Sequence, residues 1–300
     1  MKIAKNISDL VGNTPIIQLN NIDKNIYAKC EFINPTSSVK DRIGHNMLKQ
    51  AIKKGIVDKN THIVEPTSGN TGVALASACA AMGIKLTLVM PESMSIERRK
   101  LMGIFGANIV LTPANQAMNG SIQKANELVK QNKNTIMLDQ FSNPDNPSSH
   151  EKSTALELLK QMDGKIDIFV AAVGTGGTLS GTGKILKQKI PNIKIVAVEP
   201  QNSPILSGGK HSAHKIQGIG AGFIPDTLDT DIYDDIIQVP DQKAIKTAKK
   251  LASKEGLLVG ISAGANVWAA KQLAKKYKNK RIVTILCDTA ERYISTELFN

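Results

Sequence analysis

Short hydrophobic runs alternate with amphipathic stretches along the chain, and this pattern predicts strands that alternate with helices. Strand-like runs lie at 16–19, 26–32, 63–64, 86–90, 108–111, 168–173, 193–198 and 282–286. Apolar residues at helical spacing predict helices near 40–52, 71–82, 95–105, 119–131, 177–189, 240–254 and 263–277. Strands that alternate with helices favour parallel sheets with helices on their faces, so we expect an α/β protein with two lobes.

Two stretches interrupt this alternation. The segment 141–147, Phe-Ser-Asn-Pro-Asp-Asn-Pro, is the best linker by composition. The stretch 200–225 is rich in Gly, Ser and Pro and is too long for an ordinary connection. Loops of that length are often functional. A chain of 300 residues with 41% hydrophobic content is long enough for one large α/β unit or for two lobes.

The positive charge of the chain changes this picture little. Lys and Arg number 38 against 26 Asp and Glu, a net charge of +12. The excess is spread along the chain, aromatic residues make up only 4%, and no nucleic-acid-binding motif is present. Nucleic-acid binding needs clustered basic residues and a recognisable motif, so we expect no nucleic-acid partner.

Apolar runs, cysteines and histidines indicate where the protein is found and whether it binds a metal. No run approaches ~18 continuous apolar residues, and the first residues lack the apolar core of a signal peptide. Cys30, Cys79 and Cys287 are far apart, which suits free thiols in a reducing compartment. We therefore expect a cytoplasmic protein without membrane contact. The five histidines show no metal-ligand spacing, and no metal site is expected.

One lysine has an unusual setting. The segment 34–42 reads Asn-Pro-Thr-Ser-Ser-Val-Lys-Asp-Arg, so Lys40 follows a turn-rich run and begins a helical pattern. A positive helix end disfavours the ammonium form and favours a nucleophilic amine. Most lysines are solvated surface amines, however, and the residues alone leave both readings open.

Three further segments each follow a strand and begin a helix. The segment 174–178, Gly-Thr-Gly-Gly-Thr, presents backbone N–H groups as a phosphate requires, although such turns also contain glycine for packing. The segment 67–71, Thr-Ser-Gly-Asn-Thr, offers hydroxyls and N–H groups to an anion, and Ser262 begins the helix near 263–277. Taken by themselves, the last two are better explained as ordinary helix caps.

Five motifs together carry a resemblance to a known family. They are Gly-Asn-Thr-Pro at 12–15, the segment 34–42, Thr-Ser-Gly-Asn-Thr-Gly at 67–72, the segment 174–178, and Glu-Arg-Tyr at 291–293. In this order the chain closely resembles the cysteine synthase (O-acetylserine sulfhydrylase) family of fold type II pyridoxal phosphate enzymes. The resemblance covers nearly the whole chain.

The resemblance implies a tryptophan synthase β-like fold of two lobes, each a mostly parallel twisted sheet flanked by helices, with the active site in the cleft between them. The smaller, mobile lobe would be 35–145 with 1–12. The larger, cofactor-binding lobe would be 146–300, with 13–34 crossing over to it. The loop 218–222 would face the site, and closure of the small lobe would exclude water.

The resemblance also implies a role for each site residue. Lys40 would hold pyridoxal phosphate covalently and later remove the substrate's α-proton. Asn70 would bind the cofactor's phenolic oxygen, Ser262 would face its ring nitrogen, and Gly174, Thr175, Gly176, Gly177 and Thr178 would hold its phosphate. Substrate contacts would come from Thr67, Ser68, Gly69, Thr71, Gln140, Gly218 and Ile219.

The implied reaction is β-replacement, which makes L-cysteine from O-acetyl-L-serine and sulfide through an α-aminoacrylate. A neutral serine at the ring nitrogen leaves the cofactor a weaker electron sink than an aspartate would, which suits loss of a β-leaving group. The alternative is β-replacement of serine, phosphoserine or cysteine with sulfide or homocysteine, as in cystathionine β-synthase or hydrogen sulfide-producing enzymes.

The resemblance also implies two protein partners. The resemblance predicts a homodimer, and it allows binding of the C-terminal tail of serine acetyltransferase in the active site. Asp288-Thr289-Ala290 stands where members of the family vary, so the resemblance implies no role for these residues.

Overall fold

The computed structural model describes residues 3–67, 69–94 and 96–300, without the side chains of Glu97 and Ala117. The strands are β1 (Ile16–Gln18), β2 (Ile26–Cys30), β3 (His62–Pro66), β4 (Lys85–Pro91), β5 (Asn108–Thr112), β6 (Thr135–Ile136), β7 (Ile168–Ala172), β8 (Lys194–Pro200), β9 (Asp235–Val239) and β10 (Ile282–Leu286). The α-helices are α1 (Lys40–Lys53), α2 (Asn70–Met82), α3 (Ile96–Gly103), α4 (Ala117–Gln131), α5 (Asp145–Lys152), α6 (Thr154–Gln161), α7 (Gly177–Lys189), α8 (Asp241–Glu255) and α9 (Ile261–Lys276). Short 3-10 turns lie at Ile7–Leu10, Glu31–Ile33, Ala114–Gln116 and Ala290–Tyr293.

The chain divides into two compact units. The smaller unit holds the N-terminal residues up to Val11 together with Lys40–Asn146, and the larger unit holds Gly12–Val39 and Pro147–Asn300. Each unit contains one sheet. The predicted α/β class with mostly parallel sheets flanked by helices is confirmed.

The sheet of the smaller unit has the strand order β5-β4-β3-β6, and every pairing in it is parallel. Successive residues of a strand point to opposite faces, and the core divides accordingly. Ile63 and Leu88 join the apolar cluster formed with α1 and α2. Their neighbours Val64 and Val89 pack against Ala125 of α4. Both faces of the sheet are therefore covered by helices.

The sheet of the larger unit has the order β1-β2-β10-β7-β8-β9. Among the described residues, β1 pairs with β2 in antiparallel orientation, and the other pairings in this sheet are parallel. Val170 packs with residues of α8 and α9, whereas its neighbour Phe169 packs with residues of α6 and α7. The strand β2 pairs along its length with β10, from Ile26 beside Ile282 to Cys30 beside Leu286. This pairing explains why an early segment of chain belongs to the unit that contains the C-terminus.

The predicted strands and helices are confirmed to within a few residues, but four elements were missed. They are β6, α5, α6 and β9. The division between the two units falls between Asn146 and Pro147, within the predicted linker 141–147. The last residues of this linker are helical, because α5 begins at Asp145. The sequence of α5, DNPSSHEK, is polar and has no apolar periodicity to show a helix. Its proline lies in the first turn, where a missing N–H costs nothing.

A glycine lets α1 approach α2 closely. A Cβ atom added to Gly44 would lie 2.8 Å from the Cβ of Ala74 and 3.2 Å from its carbonyl carbon. Helix α1 begins with Lys40, and α2 begins with Asn70. The small residues at this crossing therefore set the separation of the two helices that carry these site residues.

We expect Gly44→Ala to destabilise the protein by about 1–3 kcal/mol, because the added methyl group meets backbone that must shift. The measurement is the free energy of unfolding from chemical denaturation. Gly103→Ala is the matched control, since a Cβ atom at this helical position would meet nothing within 4 Å. An equal loss in both variants would contradict the proposed close crossing.

Candidate active site

Lys40 is the first residue of α1 and is half-buried. The next two residues, Asp41 and Arg42, are buried, and α1 continues with apolar residues that face the core of the smaller unit. The structure thus confirms that this lysine begins a helix, where the helix dipole disfavours an ammonium group.

The residues just before Lys40 are held within the larger unit by the C-terminal motif. The N–H of Val39 donates to the carbonyl of Cys287 at 2.8 Å, and the N–H of Thr289 donates to the carbonyl of Ser37 at 3.3 Å. The guanidinium of Arg292 donates to the carbonyl of Thr36. The motif at 287–292 therefore fixes the backbone that leads into the lysine.

The candidate substrate loop of the smaller unit follows β3. Thr67 is buried, and its N–H donates to the carbonyl of Val89 at 3.0 Å, which extends the pairing of β3 with β4. Gly69 has an extended backbone and precedes α2, which begins at Asn70. The remaining predicted contact, Ser68, lies outside the described residues. The N-terminal N–H groups of α2 form a site that favours an anion.

The predicted carboxylate contacts Thr71 and Gln140 are brought together although 69 positions separate them. The hydroxyl of buried Thr71 donates to the side-chain oxygen of Gln140 at 2.6 Å. Gln140 is itself buried, and Asn146 donates to its carbonyl oxygen at 2.7 Å.

A buried carboxylate holds the segment that carries Gln140. Glu65, in β3, accepts hydrogen bonds from the N–H groups of Leu138, Asp139 and Gln140 at 3.0 to 3.1 Å. Burial raises the pKa of the Glu65 carboxyl from its usual 4.5 to about 7. The sequence interpretation missed this residue. A charged residue at the end of an apolar strand was the signal that could have identified it.

The glycine-rich loop 174–178 joins β7 to α7 within the larger unit. A Cβ atom at Gly174 would lie 2.4 Å from the carbonyl oxygen of Gly218. Gly176 has a φ of +85° and precedes α7, which begins at Gly177. Both glycines are thus required by the backbone, and the loop leaves the helix N-terminus open to an anion.

The two threonines of this loop are anchored to other segments. The hydroxyl of Thr227 donates to the carbonyl of Thr175 at 2.5 Å. The hydroxyl of Thr178 lies 3.2 Å from Nε2 of the buried His150 on α5. The sequence interpretation treated the histidines only as metal ligands and missed this contact.

The loop 218–222 packs directly on the segment that leads into the loop 174–178. The N–H of Gly220 donates to the carbonyl of Val173 at 2.9 Å, and Ile219 is buried. Gly218 has a φ of +89°. The predicted residues Gly218 and Ile219 therefore lie beside the candidate phosphate loop, in the same unit.

Ser262 is the second residue of α9 and is 4% exposed. The preceding Gly260 has no room for a side chain, because a Cβ atom there would lie 2.2 Å from a carboxylate oxygen of Asp288. The hydroxyl of Tyr293 donates to the other oxygen of Asp288 at 2.6 Å. Asp288, to which no role was assigned, is thus part of the packing that places the start of α9.

Charged residues that the sequence interpretation missed hold the 12–15 motif. The ammonium of Lys29, which is fully buried, lies 2.6 Å from the carboxylate of Glu157 and donates to the carbonyl of Thr14. The hydroxyl of Thr14 donates to the buried Glu31 at 2.7 Å, and Glu31 also accepts from Asn34 at 2.8 Å. Charges inside the strand β2 were the available signal.

These groups can be compared with what pyridoxal phosphate needs. Its aldehyde needs a lysine amine, its phosphate an N–H-rich cradle, and its ring nitrogen a polar partner. Lys40 offers the amine, the loop 174–178 at the start of α7 offers the cradle, and Ser262 offers a buried hydroxyl. The residues present fit the cofactor.

This fit agrees with the family to which the chain belongs. The chain belongs to the pyridoxal-phosphate dependent enzymes, whose family model matches residues 7–288. The predicted cofactor is thereby confirmed.

The resemblance to cysteine synthases is confirmed as well. Cysteine synthase B of Campylobacter jejuni is 54% identical over 299 residues, which are 100% of each chain. The crystal structure of a cysteine synthase from Entamoeba histolytica has a TM-score of 0.96 and 41% identity, and covers 99% of this chain and 91% of that chain. The structure of a hydrogen sulfide-producing enzyme from Fusobacterium nucleatum has a TM-score of 0.94 and 44% identity, and covers 98% of this chain and 99% of that chain.

The described residues contain neither a candidate membrane span nor a candidate metal site. None of the described helices has the length and apolar character needed to cross a membrane. Among the same residues, no group of three or more His, Cys, Asp or Glu side chains is placed to hold a metal ion.

Glu65 leads to a prediction about stability and pH. The folded protein keeps the proton of Glu65 up to about pH 7, whereas a carboxyl with the usual pKa of 4.5 loses it earlier. Its contribution to stability is fully present below pH 4.5 and is lost as the pH rises through 7. We expect a loss on the order of 3 kcal/mol across this range.

The measurement compares thermal unfolding of the wild type and Glu65→Gln at pH values from about 4.5 to 8. The variant cannot titrate at this position, so the stability difference between the two proteins should change with pH. Parallel pH curves for the two proteins would show that the pKa of Glu65 is not raised.

Proposed function

We propose that this protein is a pyridoxal-phosphate-dependent transferase that makes L-cysteine from O-acetyl-L-serine and sulfide by β-replacement. The observation that carries the proposal is the 54% identity, over the full length of both chains, to a cysteine synthase B. The motifs that would hold cofactor and substrate support the proposal, because each lies at the start of a helix. Two of these helices, α1 and α2, belong to the smaller unit, and α7 and α9 belong to the larger unit.

The candidate residues would have distinct roles in binding the cofactor and the substrate. The bound cofactor supplies an electron sink for the carbon atoms of the amino acid. Lys40 would hold the cofactor and move the α-proton, and Asn70 and Ser262 would orient the ring. The loop 174–178 would bind the phosphate. Thr67, Ser68, Gly69, Thr71 and Gln140 would bind the substrate's carboxylate, with Gly218 and Ile219 nearby. The closing of the smaller lobe stays a prediction.

A second candidate function uses the same residues. The Fusobacterium nucleatum structure with 44% identity is described as a hydrogen sulfide-producing enzyme. This similarity supports the alternative in which serine, phosphoserine or cysteine is the amino-acid donor and sulfide or homocysteine is the second substrate. The shared chemistry needs the same lysine and the same carboxylate contacts, so the donor has to be measured.

Partners and compartment are part of the proposal. We propose a homodimer by analogy with the family. The start of α2 supports binding of the C-terminal tail of serine acetyltransferase, because residues that bind an amino-acid carboxylate can also bind that of a peptide. Free thiols at Cys30, Cys79 and Cys287 support a reducing, cytoplasmic location.

The donor is tested by the visible spectrum of the purified holoenzyme. We expect O-acetylserine to change the cofactor spectrum and sulfide to restore it with release of cysteine. Serine plus homocysteine and cysteine alone are measured in parallel. A response only to serine or cysteine would overturn the cysteine synthase proposal in favour of the alternative.

The role of Lys40 is tested by Lys40→Ala. Borohydride reduction of the wild type should attach the cofactor's mass to the peptide that contains Lys40, and the variant should lack this adduct. Loss of a group that transfers the proton should also lower kcat by roughly 10³-fold. Lys49→Ala is the matched control, because Lys49 is exposed on the same helix. An adduct on another lysine of the wild type would refute the assignment.

The role of the phosphate loop is tested by Gly174→Ala. The added Cβ atom would lie 2.4 Å from the carbonyl oxygen of Gly218, so the loop must move. We expect the affinity for pyridoxal phosphate to fall by roughly tenfold or more, as for loss of a charge-assisted hydrogen bond. Equilibrium dialysis of the apoprotein with the cofactor measures this. Unchanged affinity would remove the loop from the proposed site.

A further inference from the structure

The carboxylate of Glu65 lies at a particular place in the smaller unit. Glu65 is the penultimate residue of β3, two positions before the loop proposed to bind the substrate carboxylate. Its side chain is 1% exposed. A buried carboxylate is costly unless hydrogen bonds satisfy its oxygens, so its partners indicate why the fold retains it.

Those partners are three consecutive backbone N–H groups from another segment. Oε2 accepts from Leu138 at 3.1 Å and from Asp139 at 3.0 Å, and Oε1 accepts from Gln140 at 3.0 Å. Asp139 has a φ of +53°, a conformation that side-chain-bearing residues rarely adopt. The carboxylate thus adds three hydrogen bonds to a turn that contains an unfavourable backbone conformation.

The turn carries the side chain that contacts the candidate substrate loop. Gln140 accepts from the hydroxyl of Thr71 at 2.6 Å, and Asn146 donates to the carbonyl of Gln140 at 2.7 Å. Gln140 is therefore held from one side by Glu65 and from the other by Asn146. All of these contacts lie within the smaller unit.

We propose that Glu65 is a positioning residue for recognition of the substrate's carboxylate, because it fixes the backbone of 138–140 and so places Gln140 beside Thr71. This inference rests on the proposed function, which assigns Thr71 and Gln140 to the carboxylate. Glu65 itself is buried and acts through Gln140.

The isosteric variant Glu65→Gln removes a defined part of this arrangement. Its amide retains one acceptor oxygen, which can serve the two N–H groups of Leu138 and Asp139. Its NH₂ group then faces the N–H of Gln140, and two donors cannot pair. The variant therefore releases mainly the backbone of Gln140 while keeping the shape of the side chain.

A second variant and a control complete the set. Asn146→Ala releases the carbonyl of Gln140 and leaves Glu65 unchanged. Thr112→Val is the matched control, because Thr112 is a buried residue of the same unit whose hydroxyl lies 2.9 Å from that of Ser121, away from the turn. It removes a buried hydrogen bond without touching 138–140.

The experiment measures kcat/KM of each holoenzyme for both substrates at about pH 8, above the raised pKa of Glu65, where its carboxyl group is ionised. O-acetylserine has a carboxylate and sulfide has none. In Glu65→Gln and in Asn146→Ala we expect kcat/KM for O-acetylserine to fall by roughly tenfold through KM, the size of one lost hydrogen bond to a charged group. The value for sulfide should stay within about twofold. Thr112→Val should change neither.

Hydrogen exchange provides a readout that does not depend on turnover. The backbone N–H of Gln140 should exchange faster in Glu65→Gln than in the wild type, with little change in Thr112→Val. Equal losses for both substrates, or a wild-type value for O-acetylserine with fast exchange at Gln140, would overturn the inference.

Failure of the proposed function has a separate signature. In that case the wild type itself gives no turnover with O-acetylserine and sulfide. The same comparison is then made with the amino-acid donor that the wild type accepts and with a thiol that lacks a carboxylate, because every such donor has the carboxylate. Selective loss for the donor supports the role of Glu65, and equal loss for donor and thiol refutes it.

Discussion

Parallel strand pairing is the constraint on which the candidate site depends. In a parallel sheet the carboxyl ends of neighbouring strands meet at one edge, and a helix usually begins shortly after each of them. In the smaller unit this places the loop after β3 at the same edge as the end of β4. In the larger unit it places the loop 174–178, after β7, at the same edge as the end of β8. Each unit therefore presents helix N-termini, which favour anions, at one edge of its sheet.

Both sheets have a buried glutamate near the end of a strand at that edge. The strand β3 ends in Glu65-Pro66, and β8 ends in Glu199-Pro200. Each glutamate is buried and accepts backbone N–H groups of an irregular segment, 138–140 for Glu65 and 206–207 for Glu199. A carboxylate offers two acceptor oxygens where the strand pairing has ended. Both irregular segments thereby gain fixed hydrogen bonds without belonging to a strand.

Much of the fold could be predicted from periodicity, because most helices and strands are buried on one or both faces. The polar helix α5 and the short strand β6 could not, since neither carries an apolar repeat. The crossover of residues 12–39 is not visible in local patterns either, because the pairing of β2 with β10 joins the two ends of the chain. It was expected only from the family resemblance.

The candidate site also contains residues that the sequence could indicate and contacts that it could not. Lys40, the loop 174–178 and Ser262 could be selected as candidates because each stands at the start of a helix. Their proposed roles came only from the family resemblance. The contacts of Glu65 and His150 join residues far apart in sequence, and a single sequence carries no signal for such pairs.

Residues 287–292 hold the backbone that precedes the candidate nucleophile. Ser37 has a φ of +58°, a strained conformation for a serine, and only tertiary contacts can hold such a residue in place. Contacts from Cys287, Thr289 and Arg292 surround it. The backbone of residues 36–39 is thus held by hydrogen bonds to residues that follow the last strand. The segment that precedes the candidate lysine therefore depends on hydrogen bonds from residues about 250 positions later in the sequence.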